Sequence, residues 1–316
     1  MRHLKLIPDD TNFQFVKWRY IAVGLSLLVM VVSSALLITR GLNFGIDFEG
    51  GIVIEISTDG PADISQLRAD IGGLDLGEVQ IQEFGQADDV LIRVQSPRDG
   101  GEEASQEVVN KIRGQLGDTV EYRRVEVVGP QVSGELVQDG ILAVVISIAL
   151  MLVYIWFRFE WQFSLGSVIA LVHDVMATLG LFCILQLEFN LTSIAAILTI
   201  VGYSMNDTVI VFDRVRENLR KYKKMDLGAL IDLSINQTLS RTVMTSGTTL
   251  LALLALFIFG GEVLRDFTFA MIFGIFIGTY SSIFIAAPVL LTVGVTRDAS
   301  TGGLGRAAKD KAPEKA

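Results

Sequence analysis

The sequence predicts an α-helical polytopic membrane protein with six transmembrane helices and one α+β domain outside the membrane, between helices 1 and 2. Hydrophobic residues make up 51% of the chain, and the mean hydropathy is +0.50; both values are high for a soluble domain. These residues are concentrated in six runs, each long enough for the roughly 20-residue helix that crosses a bilayer. Between the first two runs, strand and helix patterns alternate instead.

The six runs define the predicted domains. The spans are residues 20–38, 141–157, 163–185, 191–212, 242–260 and 267–293. The first is too long for the apolar core of a signal peptide and has no small-residue cleavage site before Arg40, so we expect it to remain. Pro288 in the long last span predicts a tilt or a kink. The expected divisions are a cytoplasmic tail (1–19), helix 1 (20–38), an outer domain (41–138), a five-helix bundle (139–295) and a disordered cytoplasmic tail (296–316).

Basic residues predict the orientation. With both termini in the cytoplasm, the segments on that side hold 17 of the 26 Lys and Arg residues, while the short loops 186–190 and 261–266 on the other side hold only Arg265. The net charge of −9 comes largely from the outer domain and gives no reason to expect a nucleic-acid partner. Cys183 stands alone inside a span, so we expect no disulfide in the outer domain.

The outer domain has a regular order of predicted elements. They are a strand with alternating Ile52, Ile54 and Ile56, a helix (62–71), two strands (78–84 and 89–95) joined by a Gly/Asp turn, an amphipathic helix (102–116) and a last strand (119–128). This β-α-β-β-α-β order is that of the ferredoxin-like fold. The domain contains neither His nor Cys and no nucleophile with a plausible base, so we expect a binding or mechanical role.

A glycine-rich segment, "GLNFGIDFEGG" (41–51), follows the first span. Gly45, Gly50 and Gly51 suggest tight turns or a close backbone approach, and Asp47 is placed to accept hydrogen bonds from free N–H groups. The glycines do not have dinucleotide-binding spacing, and no helix is predicted after them. The simplest interpretation is a membrane-to-domain elbow.

Ionisable residues inside spans are rare and usually face a bundle interior or a water-filled path. Here they are His173 and Asp174 in span three, Asp207 in span four, preceded by Asn206, and Arg241 at the start of span five. Helical spacing places Ser204, Asp207 and Thr208 on one face, and Arg241, Thr245, Thr248 and Thr249 on another. We expect these two polar faces to lie against each other.

Two roles for Asp207 and Arg241 remain open from the residues alone. Burial favours the neutral form of a carboxyl group and a nearby guanidinium favours the charged form, so an arginine that approaches and withdraws would drive proton release and uptake. A static pair that fixes helix packing is the alternative. Asp174 either completes the polar face or serves packing. A carboxylate-dyad protease is disfavoured, because Asp207 follows Ser-Met-Asn and lacks the Gly-x-Gly-Asp surroundings expected there.

Two further patterns concern packing. Gly274, Gly278 and Ser282 recur every four residues and predict close helix contact in the last span. Residues 225–240 are amphipathic, which predicts a separate segment lying on the cytoplasmic interface between spans four and five.

The chain resembles the SecF family, subunits of the SecD–SecF export complex in the resistance–nodulation–division superfamily. The resemblance covers about residues 20–295. It lies in "FGIDFEGG" after span one, "ALVHDV" (170–175), "VGYSMNDTVIVFDRVRENLR" (201–220) and "LSRTVMTSGTTLL" (239–251). Glu49 departs from the family pattern, in which a small hydroxyl residue precedes the paired glycines, so no specific role is assigned to it.

The resemblance implies a function. A SecF-like translocase subunit works with SecD and uses the proton-motive force to assist Sec-dependent export, in the bacterial cytoplasmic (inner) membrane. It implies no enzymatic activity and no cofactor, with protons as the coupling ion. The implied partners are SecD, the Sec channel with its small accessory subunits, the unfolded secretory protein and membrane lipid. The implied proton-translocation residues are Asp207, Arg241 and Thr245; we add the neighbouring Asn206 and Asp174 as candidates.

Two alternatives belong to other functional classes. A proton-coupled small-solute exporter of the same superfamily is disfavoured by size, because those chains carry two long outer domains and about twice as many spans. A non-conducting structural subunit is disfavoured by Asp207 and Arg241, since a scaffold has no need of charges that are costly in a membrane.

Overall fold

The computed structural model describes residues 11–77, 79–95, 102–261 and 264–295; the predicted disordered tail lies outside them. It confirms a mostly helical membrane protein with six helices long and apolar enough to cross a bilayer. Along the chain, α1 (Arg19–Thr39), β1 (Asn43–Phe44) and α2 (Ile46–Glu49) precede the outer domain. That domain comprises β2 (Gly51–Thr58), α3 (Ile64–Gly72), β3 (Val79–Phe84), β4 (Gln86–Val94), α4 (Glu102–Leu116) and β5 (Val120–Val128).

The remaining described elements form the helix bundle together with α1. Its elements are α5 (Pro130–Arg158), α6 (Trp161–Leu185), β6 (Glu188–Phe189), α7 (Leu191–Lys221), α8 (Leu227–Phe259), α9 (Arg265–Ser281), a π-helical turn (Ser282–Ala286) and α10 (Ala287–Val293). We call the end of the bundle that carries the outer domain the domain end, and the opposite end the far end.

The outer domain has the predicted ferredoxin-like order. Its four strands form one antiparallel sheet in the order β3-β4-β2-β5. Ile52, Ile54 and Ile56 are completely buried on one face, where they form one core with apolar residues of α3 and α4. On the other face, Val53 and Leu91 pack with Ile46 of α2. The elbow therefore covers part of the sheet face that α3 and α4 do not cover.

The β3–β4 connection is shorter than predicted. The predicted turn covered residues 85–88, but β4 begins at Gln86, and Phe84 pairs directly with it. Regular pairing of the two strands ends at Glu83 and Val90, where the register shifts, and Gly85 has φ of 84°. A residue without Cβ adopts this conformation at little cost, so glycine suits the tight reversal between Phe84 and Gln86.

The predicted separate segment at 225–240 is wrong, because α8 runs without a break from Leu227 to Phe259. The Asp226 side chain accepts hydrogen bonds from the backbone N–H groups of Gly228 and Ala229 and starts the helix. The apolar face of this first part, with Leu230, Ile231 and Ile235, is buried in the main bundle core rather than spread on an interface. Because this face packs against the bundle core, the predicted interfacial segment and span five form one continuous helix.

The helical geometry of the last span changes close to Pro288, where the sequence predicts a tilt or a kink. A π-helical turn at Ser282–Ala286 separates α9 from α10, and Pro288 lies in the first turn of α10. Proline has no backbone N–H to donate to the preceding turn, so a change of helical geometry is expected at this position.

Helix α9 packs tightly against α7 through its glycines. A Cβ atom at Gly274 would lie 2.3 Å from side-chain atoms of Ile200, and one at Gly278 would lie 2.9 Å from the Cβ of Ser204. These distances are shorter than van der Waals contact, so both positions require glycine at the observed separation of the two helices. The four-residue spacing predicted this close contact.

We expect Gly274→Leu to push α9 away from α7 and to lower the free energy of unfolding by about 1–3 kcal/mol, the usual effect of overpacking. Thermal unfolding of the detergent-solubilised chain measures the change. Ile200→Ala removes the clashing side chain, so the double variant should recover part of the loss. Equal stability of the Gly274→Leu variant and the wild type would contradict the close contact.

Candidate functional site in the helix bundle

Asp207 lies on α7 and is completely buried. Neither of its carboxylate oxygens has a hydrogen-bond partner among the described residues. Buried polar groups in folded proteins are nearly always hydrogen-bonded, so an unpartnered carboxylate within a membrane helix calls for a functional explanation.

The residues around Asp207 on α7 separate into two groups. Ser204 and Thr208 are buried like Asp207, as their helical spacing predicts. Asn206 is exposed on the surface of the bundle and therefore does not share the surroundings of Asp207. An exposed amide at this depth in an apolar helix indicates a protein-facing or water-facing surface rather than one covered by lipid.

Arg241 on α8 interacts electrostatically with Asp207. The two side chains form no ion pair among the described contacts, and Arg241 is exposed. Thr245 is half-buried, and its hydroxyl donates to the backbone carbonyls of Arg241 and Thr242 in its own helix. The predicted direct contact between the two polar faces is therefore not made by Asp207, Arg241 and Thr245.

Polar contacts between these helices are made one or more turns away, by residues that the sequence did not single out. The Tyr203 hydroxyl on α7 donates to the Ser246 hydroxyl on α8, at 3.2 Å. Ser246 in turn lies 2.9 Å from the Thr279 hydroxyl on α9. A hydroxyl chain thus links α7, α8 and α9. In the sequence, only the position of Tyr203 four residues before Asp207, on the same face of α7, pointed toward this hydroxyl chain.

Asp174 on α6 is also completely buried, but its carboxylate is fully engaged. It accepts hydrogen bonds from the Ser204 hydroxyl on α7 at 2.5 Å and the Ser281 hydroxyl on α9 at 2.7 Å. Its other oxygen lies 3.0 Å from Nδ1 of His173. Three helices therefore meet at one carboxylate, and this geometry favours a role for Asp174 in holding the bundle together.

The two aspartates are close along α7 through Ser204. Ser204 contacts Asp174 and lies three residues before Asp207, about 4.5 Å along the helix axis at 1.5 Å per residue. The carboxylate of Asp174 thus has its hydrogen-bonding partners in place, whereas the nearby carboxylate of Asp207 has none in the part of the chain that the structure describes. The second is free to change its protonation state without breaking a network.

At the domain end, the elbow contacts the loop before α7. The backbone N–H of Gly45 donates to the carbonyl of Phe189 at 2.9 Å, and β1 pairs in parallel with β6. A Cβ at Gly45 would lie 2.5 Å from Oε1 of Glu188 and 3.2 Å from the Cβ of Asn190, so a larger residue there would have to displace the Glu188 carboxylate. Gly50 and Gly51 have φ of 71° and 138°, which favour glycine where α2 turns into β2.

Asp47 of the elbow caps the helix that carries Asp207. Its Oδ2 accepts a hydrogen bond from the backbone N–H of Leu191, the first residue of α7, at 2.9 Å. The Asn190 side chain caps the same terminus by accepting from the N–H of Ser193. Both interactions satisfy N–H groups that lack partners within the helix, and the carboxylate also interacts favourably with the helix dipole.

Glu188, which the sequence did not single out, forms an ion pair with Arg93 on β4 of the outer domain. Its backbone N–H donates to Oδ2 of Asp266 at 3.3 Å. Burial raises the pKa of Glu188 above its ordinary value of 4.5. The carboxylates of Asp266 and Asp47 add to this rise in pKa, whereas Arg93 opposes it. An ion pair in this setting contributes little net stability, because desolvation offsets the attraction.

The raised pKa of Glu188 predicts a pH dependence. The folded protein retains this proton at pH values where the unfolded chain has lost it, so the contribution to the free energy of unfolding is largest below pH 4.5 and declines as pH rises through the raised pKa. We expect the wild type to lose thermal stability relative to Glu188→Gln over this window. A wild type that gains stability relative to that variant with rising pH would show that the Arg93 ion pair outweighs burial.

Among the described residues, no group of three or more His, Cys, Asp or Glu side chains is arranged to hold a metal ion. The fold and the site together define the class of protein. It is a multi-pass membrane protein with an intramembrane carboxylate, and its outer domain contacts the helix that carries this carboxylate.

Comparison with known proteins gives the family. Residues 108–296 match the model of the SecD/SecF protein export membrane protein C-terminal region, and residues 35–62 match the SecD/SecF GG motif. The chain is 47% identical to a protein translocase subunit SecF of Rhodobacter capsulatus, over 98% of this chain and 99% of that one. It is also 47% identical to a SecF of Rickettsia rickettsii, over 91% of this chain and 94% of that one. The chain belongs to the SecF family of protein translocase subunits.

A solved structure shares the fold. The crystal structure of SecDF, a translocon-associated membrane protein from Thermus thermophilus, is 36% identical, with a TM-score of 0.81 over 91% of this chain. This chain spans 39% of the length of that protein. A SecDF structure in a super-membrane-facing form matches with a TM-score of 0.66.

Proposed function

We propose that this chain, together with SecD, uses the proton-motive force to assist Sec-dependent export of unfolded proteins through the Sec channel and its small accessory subunits. The observation that carries the proposal is Asp207, a completely buried carboxylate on a membrane helix whose two oxygens lack hydrogen-bond partners in the described part of the chain. The relatives are named translocase subunits, which supports a transport role without catalysis.

Asp207 has the properties required of a proton carrier. A charged carboxylate without partners is costly in a dry helix bundle, and adding a proton removes that charge. Arg241 already acts on Asp207 electrostatically without being paired to it, so a small helix movement changes how strongly the charged form is stabilised. Proton binding and helix position are thereby coupled. In this account protons are the coupling ion and no other cofactor is needed.

The available energy is sufficient for such a coupling. Moving one proton down the membrane potential releases about 2.3 kcal/mol per 100 mV. This shifts a two-state equilibrium by about fifty-fold, which is enough to make a minor conformation the major one.

The proposed setting is the bacterial inner membrane, with both termini in the cytoplasm. The basic residues at the far end of the bundle, among them Arg158, Arg214 and Arg216, support this orientation. The outer domain then faces the exported chain. Asn206 and Arg241 are exposed polar residues within or at the edge of apolar spans, so the surface they belong to suits a protein partner better than lipid. SecD is the partner that the SecDF structures suggest.

Sealed inverted membrane vesicles test the proposal. Completion of export of a Sec substrate is measured with and without an ionophore that collapses the proton gradient. We expect wild-type vesicles to lose the gradient-dependent part of export with the ionophore, and Asp207→Asn vesicles to lack that part from the start. Gradient-dependent export at the wild-type rate in the variant would instead favour a structural subunit.

A further inference from the structure

Helix α7 connects the buried carboxylate to the outer domain. Asp207 lies sixteen residues after Leu191, about 24 Å along one uninterrupted helix. The first N–H of this helix is bonded to Asp47 in the elbow of the outer domain. A shift of α7 at the depth of Asp207 therefore reaches the elbow without crossing a flexible segment.

The covalent links of the outer domain run to other helices. The domain follows α1 through the elbow, and β5 continues into α5 at Gly129. Its connection to α7 is non-covalent and includes three contacts among the described residues: the pairing of β1 with β6, the Asp47 cap and the Arg93–Glu188 ion pair. We call these three contacts the domain–α7 joint.

Arg93 attaches the joint to the sheet of the outer domain. It lies on β4, which is hydrogen-bonded to a strand on each side and is therefore an inner strand of the sheet. Its partner Glu188 is two residues before Asn190, the N-cap of α7. The ion pair thus joins the interior of the sheet to the beginning of the helix.

Stability alone does not account for this pair. Burial and two neighbouring carboxylates disfavour the charged form of Glu188, as its raised pKa indicates. Replacing such a pair by apolar residues is often neutral or stabilising, whereas a charged pair fixes one specific relative position of the two parts.

We propose that Arg93 and Glu188 are positioning residues for export: the domain–α7 joint stays closed during the cycle and passes movement of α7 to the outer domain. This inference rests on the proposed function, because it names the contact through which protonation of Asp207 moves the domain. Breaking the pair then uncouples proton movement from export while both the domain and the bundle remain folded.

Charge reversal tests this in vesicles containing the full export complex. Arg93→Glu and Glu188→Arg are each expected to reduce gradient-dependent export at least fivefold, while leaving the amount of protein and the gradient-independent export unchanged. The double reversal restores the pair and should recover at least half of the wild-type stimulation. Lys111→Glu, a charge reversal on the exposed face of helix α4, is the control and should behave as wild type.

A second readout separates coupling from structure. Gradient decay during export is followed with a lumenal pH dye. A single reversal should keep the Asp207-dependent proton movement while export no longer responds to the gradient. If a reversal variant does not accumulate, Arg93→Gln and Glu188→Gln break the pair with a smaller change and are expected to give the same uncoupling.

The outcomes are distinct. Single reversals with full gradient-dependent export, or a double reversal that is present at normal level without recovery, would overturn the joint as the link. An absence of any gradient effect in wild-type vesicles would instead overturn the proposed function itself.

Discussion

Asp207→Asn is expected to abolish gradient-dependent completion of export in inverted vesicles while the complex still assembles. Asparagine has nearly the same shape as aspartic acid but cannot gain or lose a proton near neutral pH. Because neither carboxylate oxygen of Asp207 has a hydrogen-bond partner among the described residues, the substitution breaks no described network. It also removes a buried charge, so the free energy of unfolding should be unchanged or higher.

Asp213→Asn is the matched control for that variant. Asp213 lies on the same helix, six residues later, and forms an ion pair with Arg158 at the exposed far end. Exposed ion pairs contribute about 0–1 kcal/mol, so the same chemical change there should leave export and stability close to wild type. Equal loss of gradient-dependent export in both variants would show that any charge on α7 matters, and not the buried one in particular.

The second large effect is expected for Asp174→Ala, and it is an effect on stability. The substitution leaves the hydroxyls of Ser204 and Ser281, together with His173, without their shared acceptor in a buried site. Leaving a buried polar group without its hydrogen-bond partner typically lowers the free energy of unfolding by about 1–3 kcal/mol per group. Unfolding of the detergent-solubilised chain, compared with wild type and Asp207→Asn, measures it.

Asp174→Asn provides the graded comparison. An amide oxygen still accepts from one of the serines, so the expected loss of stability is smaller than for alanine. A loss below about 1 kcal/mol for Asp174→Ala would contradict the structural role, since a hydrogen bond to a charged group is usually worth more. Asp174 would then be a second proton-carrying candidate beside Asp207.

The fold was largely predictable because its signals are local. Six apolar runs and the alternation at Ile52, Ile54 and Ile56 depend only on neighbouring residues. The continuous helix α8 was missed because its first part is amphipathic, and a sequence does not show whether an apolar face meets lipid or protein. The early start of β4 was missed because the φ of Gly85 and the register shift beside it depend on backbone geometry, which composition does not reveal.

The site was predictable in its chemistry but not in its contacts. Charges in apolar runs identify Asp174, Asp207 and Arg241 without any structure. Which aspartate has hydrogen-bond partners depends in part on α9, because its Ser281 donates to Asp174 from more than a hundred positions away along the chain. The Arg93–Glu188 pair was missed for the same reason: each residue lies in an ordinary polar setting, and only the fold brings the outer domain onto the loop before α7.

Proton movement that accompanies export reports on the role of Asp207 most directly. Inverted vesicles with the complete export complex and a lumenal pH dye are given an energised gradient and a Sec substrate. In wild type, export should speed the decay of the gradient, and Asp207→Asn should remove that acceleration while Asp213→Asn retains it. Equal acceleration in wild type and Asp207→Asn would contradict the assignment of Asp207 as the proton carrier.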